Sequence, residues 1–275
     1  MFLSDFVPIY AAPRDLKPDT VAQLGYAVVA LEKHAGPVEL SRISAQLLDG
    51  WIAARLAAGI ARKTVQGQRS AIMCLWREAA EMGLAPPVGK VRRVRVPPAI
   101  PVAWWPEEFQ RLLSAADATC GAFACGVTRR LFLRAIFLVG YYTGLRPGDL
   151  LLLRSGDVIV SGRVVVVQSK TQQVIDVTLP ADCLAAIQAT HPEDRSLLFP
   201  VSRDLLAAWV RRLRKTAGCQ GTPKWLRRTG ATRCEQQQPG SAMAYLEHKT
   251  PGLAHKHYID ARQIQSQRPM PPALG

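Results

Sequence analysis

The chain has 275 residues, and 35 Lys and Arg residues against 21 Asp and Glu residues give it a formal net charge of +14 at neutral pH. Hydrophobic residues make up 48% of it and charged residues 20%, the balance of an ordinary globular protein, so a disordered chain is excluded. A folded protein with this surplus of positive charge repels itself unless its usual partner is a polyanion. Nucleic acid is the leading expectation, and an anionic membrane surface is the alternative.

The sequence indicates no membrane segment, secretion signal or metal site. The uncharged stretch around the most apolar segment, residues 135–145, is far shorter than the roughly 20 residues of a spanning helix. Asp5 stands where a secretion signal needs positive charge. The six cysteines form no Cys-x-x-Cys pair and the five histidines no zinc-type spacing. We therefore expect a cytoplasmic, nucleoid-associated protein with no metal, no cofactor and no membrane partner.

Helical periodicity dominates the first part of the chain. Apolar residues at three- and four-residue spacing predict helices over residues 20–35, about 44–58, and 64–82. No strand pattern occurs there, so residues 1–85 are predicted to form a helical core DNA-binding domain. Arg62, Lys63 and Arg69 are candidate phosphate ligands near the start of the third helix, although an ordinary solvated face explains each of them equally well.

A basic segment bounded by prolines comes next. Residues 86–98 hold four cations and no acid between two Pro-Pro pairs, which disfavour a helix. We predict a linker over residues 86–103 that lies along a DNA backbone, with a solvated spacer as the alternative. The four cations are Lys90, Arg92, Arg93 and Arg95.

Residues 104–275 are predicted to form a mixed α/β domain. A helix begins at Pro106, and residues 129–142 are almost wholly apolar, which is typical of a helix at the centre of a domain. Gly144 suits a left-handed C-terminal cap, and Pro147 keeps Arg146 out of helical angles. Arg146 is therefore expected at a junction between two helices.

Valine-rich segments follow this junction. Residues 158–160, 162–167 and 174–179 predict three short antiparallel strands, with Lys170 at or near an exposed hairpin tip. A lone hairpin lysine is more often simply solvated. The predicted fold class is thus mostly α with a small antiparallel β-sheet.

The remaining residues are predicted to form helices with a strongly basic face. Helices are expected over residues 181–190, 202–217, 225–238 and 241–246. Residues 211–233 contain eight cations and no acid, a pattern typical of nucleic-acid binding. Arg211, Arg212 and Arg228 are the candidate contacts there.

Three segments of this domain resemble the sequence boxes of the tyrosine recombinases, or phage integrase family. Residues 143–150 (TGLRPGDL) resemble the first box, in which an Arg contacts the scissile phosphate and an acid three residues later supports the site. Arg146 and Asp149 take those places. Residues 224–232 are similar to the second box, with Lys224 and Arg227 in its two catalytic positions.

The third segment resembles the last box, and the boxes together show three departures from the family pattern. Leu246-Glu247-His248 and the segment at residues 257–260 resemble a Leu-Gly-His followed by the nucleophilic Tyr, which assigns these roles to His248 and Tyr258. Glu247 replaces the usual Gly, Lys224 replaces the commoner His, and Tyr258 lies ten residues after His248 instead of about nine.

The resemblance implies a helical DNA-binding domain and a catalytic domain that close on duplex DNA, with a homo-tetramer assembled on two sites. It also implies cleavage through a 3′-phosphotyrosine, exchange of strands by way of a Holliday junction, and Lys170 as the acid for the leaving 5′-hydroxyl. The residue types suit this chemistry, because guanidinium groups bind phosphate oxygens bidentately and a phenol needs cationic neighbours to become a nucleophile.

Two other functions are also consistent with the sequence. A type IB topoisomerase uses a similar constellation, and a DNA-binding protein that has lost cleavage would fit Glu247 and the altered spacing. Tyr245 is a rival nucleophile, although it precedes His248 and lies in a predicted helix.

Overall fold

The computed structural model describes residues 1–158, 162–191, 196–247 and 252–264. The chain divides into two compact units, Met1–Pro98 and Ala99–Gly275. Here they are called the N-terminal and C-terminal units.

The N-terminal unit is a bundle of four helices. Its third and fourth helices begin close to where the sequence pattern places them. Ser44 caps the third helix, since its hydroxyl accepts a hydrogen bond from the amide of Leu47 at 3.2 Å. The first helix, which the periodicity did not predict, contains Pro8 and buries Leu3, Phe6 and Val7. The four helices are α1 (Leu3–Ala11), α2 (Pro18–Ala35), α3 (Ala45–Ala57) and α4 (Arg62–Glu81).

The segment after α4 packs on the same bundle. Val91 and Val94 are buried in the core of the N-terminal unit. The Asp49 carboxylate accepts a hydrogen bond from the amide of Arg92 at 2.8 Å, and Arg69 donates from Nε to the carbonyl of Arg92 at 2.7 Å and from Nη2 to that of Val91 at 3.0 Å. The residues predicted as the start of a linker are therefore fixed to this unit up to Pro98.

The C-terminal unit is built around the apolar helix that the sequence predicts at its centre. This helix buries Phe132, Ile136 and Phe137 among others and ends at Gly144, which is left-handed with φ +61°. Its core also contains Trp104, at the entry to the unit. The helices are α5 (Pro106–Asp117), α6 (Arg129–Thr143), α7 (Pro147–Leu150), α8 (Ala181–Gln188), α9 (Arg203–Thr216), α10 (Lys224–Gln237), α11 (Ser241–Tyr245) and α12 (Leu253–His257).

The sheet in the described part of the chain has two antiparallel strands, β1 (Arg163–Val167) and β2 (Val174–Thr178). Of the third strand predicted at residues 158–160, Val158 forms an isolated bridge with Val164, and the other two residues lie outside the described ranges. The fold is mostly α with a small antiparallel sheet, as the sequence predicts.

A small satellite core sits beside the main one. Ala231 of α10, Ala242 of α11, Leu246, Ala254 of α12 and Ile259 form it, all with at most 4% of their surface exposed. This core places the end of the described chain against α10.

Candidate active site and nucleic-acid interface

Arg146 stands at the junction that the sequence predicts. Its backbone is extended (φ −66°, ψ 148°) at the residue before α7, because the following Pro147 disfavours helical angles there. Its guanidinium donates a hydrogen bond to the side-chain oxygen of Gln168. It lies 4.0 Å from the carboxylate of Asp149 and is 22% exposed, so part of the group is open to a ligand.

Asp149 joins this junction to the hairpin. Its carboxylate accepts hydrogen bonds from the backbone amide of Ser169, at 3.0 Å, and from the Ser169 hydroxyl. Together with the Arg146–Gln168 contact, these bonds fix the first residues after β1. The next residue, Lys170, is exposed and is thereby held beside the Arg146 junction. Sequence reasoning missed Gln168 and Ser169, whose only signal was a polar pair directly after an all-valine strand.

Arg227 is a buried guanidinium on α10 and is only 2% exposed. Nη2 donates to the carbonyl of Leu246 at 3.0 Å, and Nη1 donates to the carbonyl of Gly144. Burial lowers the pKa of Arg227, and the positive charge of Arg146 lowers it further, while the Tyr258 phenol raises it. The two arginines of the predicted site are thus brought near each other on separate elements.

Tyr258 follows α12 and lies against Arg227. The centre of its ring is 4.9 Å from the Arg227 guanidinium carbon, and the two side chains are also hydrogen-bonded. Arg228 is half-buried; burial lowers its pKa, and the nearby Tyr258 and Asp260 raise it. The phenol of Tyr258 therefore lies in a positively charged environment, and its side chain is partly buried.

The remaining two predicted catalytic residues are Lys224, which the structure describes, and His248. Lys224 is exposed at the first residue of α10, one turn before Arg227. His248 lies outside the described residues. The structure therefore brings Arg146, Asp149, Arg227 and Tyr258 together. It places Lys224 at an exposed position three residues before Arg227, and Lys170 at the exposed position after Ser169, which is bonded to Asp149.

Tyr245, the rival nucleophile, has a packing role. Its hydroxyl donates a hydrogen bond to the carbonyl of Tyr141 at 2.5 Å, and burial raises its pKa well above the usual value. A Cβ atom at Gly230 would clash with that hydroxyl, so the ring fills a space that only glycine leaves on α10. A phenol held in this way is a poor nucleophile.

Glu247 has a backbone conformation that is typical of glycine. Its φ of +51° is in the left-handed region, where residues with a side chain are rarely found. The side chain is exposed and lines an open groove of about 430 Å³ between α11 and the hairpin tip at residues 171–174. This conformation explains why a glycine suits the position and puts a carboxylate near the predicted phosphate site.

The candidate DNA contacts of the N-terminal unit form an exposed basic ridge. Lys90, Arg92, Arg93 and Arg95 are exposed on the segment fixed to the bundle. Arg62 and Lys63 are exposed in the first turn of α4, and Arg62 also donates to the carbonyl of Arg95 at 3.4 Å. Arg69 uses its donors to hold that same segment.

In the C-terminal unit, some cations of the acid-free stretch at residues 211–233 are exposed and others bind the protein's own backbone. Arg211 and Arg212 are exposed on α9, and the guanidinium of Arg212 stacks over Trp209 at 5.1 Å. Arg214, in contrast, donates to the carbonyl of Gly221 at 3.1 Å. Only part of the acid-free stretch is therefore available to a polyanion.

Within the described ranges, no group of three or more His, Cys, Asp or Glu residues could hold a metal ion. In the same part of the chain, no helix is long and apolar enough to cross a membrane. All six cysteines are free thiols.

Comparison with known families identifies the chain. The model of the phage integrase family matches residues 105–264, which is more than half of the sequence and includes Arg146, Arg227 and Tyr258. The chain belongs to the phage integrase family, whose members are the tyrosine recombinases. A search of curated protein sequences finds no match.

Solved structures share the fold. A lambda integrase tetramer bound to a Holliday junction is 21% identical, with a TM-score of 0.76 over 98% of this chain and 80% of that one. The site-specific recombinase XerH in a post-cleavage complex is 16% identical, with a TM-score of 0.69 over 90% and 78%. The Tn1549 transposon integrase with circular intermediate DNA is 14% identical, with a TM-score of 0.67 over 91% and 93%.

Proposed function

We propose that this chain is a site-specific DNA recombinase that cleaves one strand through a 3′-phosphotyrosine at Tyr258. The observation that carries the proposal is the contact between Tyr258 and the buried guanidinium of Arg227, 4.9 Å from the ring centre. A phosphate bound at Arg146 and Arg227 would lie next to the phenol. The negative charge that builds up on its oxygens during transfer would be stabilised by two groups that remain charged.

The proposed reaction exchanges one phosphodiester for another. The Tyr258 oxygen attacks phosphorus, the bond to the 5′-oxygen breaks, and the 3′-phosphate becomes linked to the tyrosine. Lys170 protonates the departing 5′-oxygen, while His248 and Lys224 are the candidates to assist loss of the phenol proton. A 5′-hydroxyl from the partner site then attacks the phosphotyrosine and restores the phosphodiester.

The proposed partners of the chain are DNA and further copies of itself, and both are inferred from its positive charge and from the solved structures of the same fold. We assign the exposed ridge at residues 90–95 and the cations Arg211 and Arg212 to the phosphate backbone of duplex DNA, so affinity should fall steeply with salt. Relatives of the same fold are found on DNA, including a lambda integrase tetramer on a Holliday junction. We therefore propose that four copies of this chain assemble on two DNA sites.

The proposal is tested by trapping the covalent intermediate. The probe is a pool of labelled duplexes with a randomised central stretch and one nick, so that cleavage near the nick releases a short strand and prevents religation. The wild-type protein should give an adduct that survives denaturation. Tyr258→Phe should give none while binding the pool equally well, and Tyr245→Phe is the matched control that should still form it.

Other outcomes of this experiment would favour one of the alternative functions. Binding without an adduct in the wild type would favour the DNA-binding protein without cleavage. An adduct together with relaxation of any supercoiled plasmid, with no recombination between two copies of the captured site, would favour a topoisomerase. An adduct that persists in Tyr258→Phe would refute the nucleophile assignment.

A further inference from the structure

A single buried carboxylate anchors the segment just after Tyr258. Asp260 is 0% exposed. Its carboxylate accepts hydrogen bonds from the amides of Ala103, at 3.1 Å, and Arg262, at 3.2 Å. It also accepts from Arg262 Nε at 2.8 Å and Nη2 at 2.6 Å, and from the Gln263 side chain at 3.3 Å. A buried charge with this many donors is stable in one place only, because moving it would leave it unsatisfied.

The anchor and the phosphate-binding arginine share one helix. The amide of Asp260 donates to the Thr232 hydroxyl on α10 at 3.0 Å, and Thr232 lies five residues after Arg227 on that helix. Thr229 of α10 accepts a hydrogen bond from the amide of Trp104 at 3.1 Å, which fixes the backbone next to Ala103. The position of Tyr258, two residues before Asp260, is thus set relative to the same helix that carries Arg227.

The other side of Tyr258 is held by a short helix. Helix α12 has only five residues, too few to be stable without tertiary contacts. Its buried contact is Ala254 in the satellite core, and its His255, 62% exposed, lies 3.3 Å from the buried carboxylate of Glu235. The backbone amide of Tyr258 donates to the carbonyl of Ala254 at 2.8 Å, so α12 fixes the main chain of the tyrosine, and the buried Asp260 fixes the segment that follows it.

We propose that Asp260 is a positioning residue for the nucleophile: its buried carboxylate holds the Tyr258 ring against Arg227 before DNA binds. The catalytic consequence rests on the proposed function, but the placement of the ring does not. Asp260→Asn keeps the shape of the side chain and replaces one acceptor oxygen with an NH₂ group, which would face the donors of Ala103 or Arg262. The ring should then lose its fixed position.

Fluorine NMR tests the placement without DNA. The chain has six tyrosines, so 3-fluorotyrosine labelling gives six signals, and Tyr258→Phe identifies the signal of Tyr258. In Asp260→Asn this signal should move toward the position of free fluorotyrosine, while the other five stay unchanged. Asp176→Asn is the matched control, because Asp176 also pairs with an arginine, Arg163, but does so on the exposed sheet.

Each outcome decides the proposal. An unchanged Tyr258 signal in Asp260→Asn overturns it. If this variant fails to fold, Arg262→Met takes its place, since it removes the two Arg262 side-chain donors that bind the Asp260 carboxylate, and an unchanged Tyr258 signal there overturns the proposal equally.

Cleavage kinetics then test the consequence. On a captured duplex, Asp260→Asn should cleave about 100-fold more slowly at saturating DNA, the cost of misplacing a reacting atom by about 1 Å, with unchanged affinity. Val210→Ala, a buried position on α9, controls for lost stability and should cleave normally below its Tm. A moved NMR signal without any cleavage by the wild type would contradict the proposed function and leave the positioning role intact, whereas equal cleavage by Asp260→Asn would overturn the catalytic consequence.

Discussion

Replacing Glu247 with glycine should stabilise the C-terminal unit. The φ of +51° at Glu247 costs an ordinary residue roughly 1–2 kcal/mol. Glycine avoids this cost but loses about 0.5–1 kcal/mol through its greater freedom in the unfolded chain. The expected net gain is therefore about 0.5–1 kcal/mol, or a rise in Tm of about 1–4 °C for a domain of this size.

The charge of Glu247 should act separately, on DNA binding. A carboxylate about 10 Å from a phosphate in water costs about 0.4 kcal/mol, which is roughly a twofold change in affinity. Glu247→Gln removes the charge and keeps the unfavourable φ, whereas Glu247→Gly removes both. Both variants should bind DNA about twofold more tightly at low salt, and the difference should fade near physiological salt because of screening.

Thermal unfolding followed by circular dichroism and DNA binding followed by fluorescence anisotropy separate the two effects. Glu247→Gly should raise the Tm and Glu247→Gln should not. Glu107→Gly, at an exposed glutamate in the first turn of α5, is the control for glycine at ordinary helical angles and should lower the Tm. A lower Tm in Glu247→Gly, or an equal rise in Glu247→Gln, would refute the conformational argument.

The remaining predictions concern the charged groups of the site. Arg146→Ala and Arg227→Ala should each slow cleavage at saturating DNA by about 10²–10³-fold, or roughly 2.7–4 kcal/mol, measured in single turnover; near-normal rates would refute the phosphate clamp. Lys224→Ala should lose most of the cleavage rate and Lys224→His should keep part of it, and equal rates for Lys224→Ala and wild type would remove Lys224 from the chemistry. Burial works against the charge of Asp260, but hydrogen bonds from Arg262 and the Ala103 amide outweigh it and lower its pKa. Its stabilisation is therefore full above about pH 4, the pKa of an unfolded Asp, and is lost below it. Acid unfolding of Asp260→Asn should accordingly depend less on pH below about 4, and identical acid slopes would contradict this account.

The sequence predicted those parts of the site that depend on local backbone rules. Gly144 and Pro147 indicated a helix junction at Arg146, and the structure confirms it with a left-handed Gly144 and an extended Arg146. The hairpin that carries Lys170 was predicted by its valine runs and is confirmed at β1 and β2. In each case the signal lies within a few residues of the feature.

Features that depend on tertiary contacts could not be predicted in this way. Helix α12 is too short to show periodicity and exists because Ala254 packs against α10 and α11. From the sequence alone, Asp260 would be expected at the surface, because it lies two residues before Arg262. Its burial depends on the amide of Ala103, 157 positions earlier in the chain. The packing of Val91 and Val94 on the bundle was hidden by the prolines and cations around them.

Mapping the covalent bond by mass spectrometry tests the central claim most directly. The adduct formed on the nicked pool is digested with protease and nuclease, and the peptide that carries the residual nucleotide is sequenced. The account predicts a 3′-phosphonucleotide on Tyr258, in a peptide that also contains Ile259 and Asp260. A nucleotide on Tyr245 or on any other residue, or no linked peptide from wild-type protein that binds the pool, would contradict it.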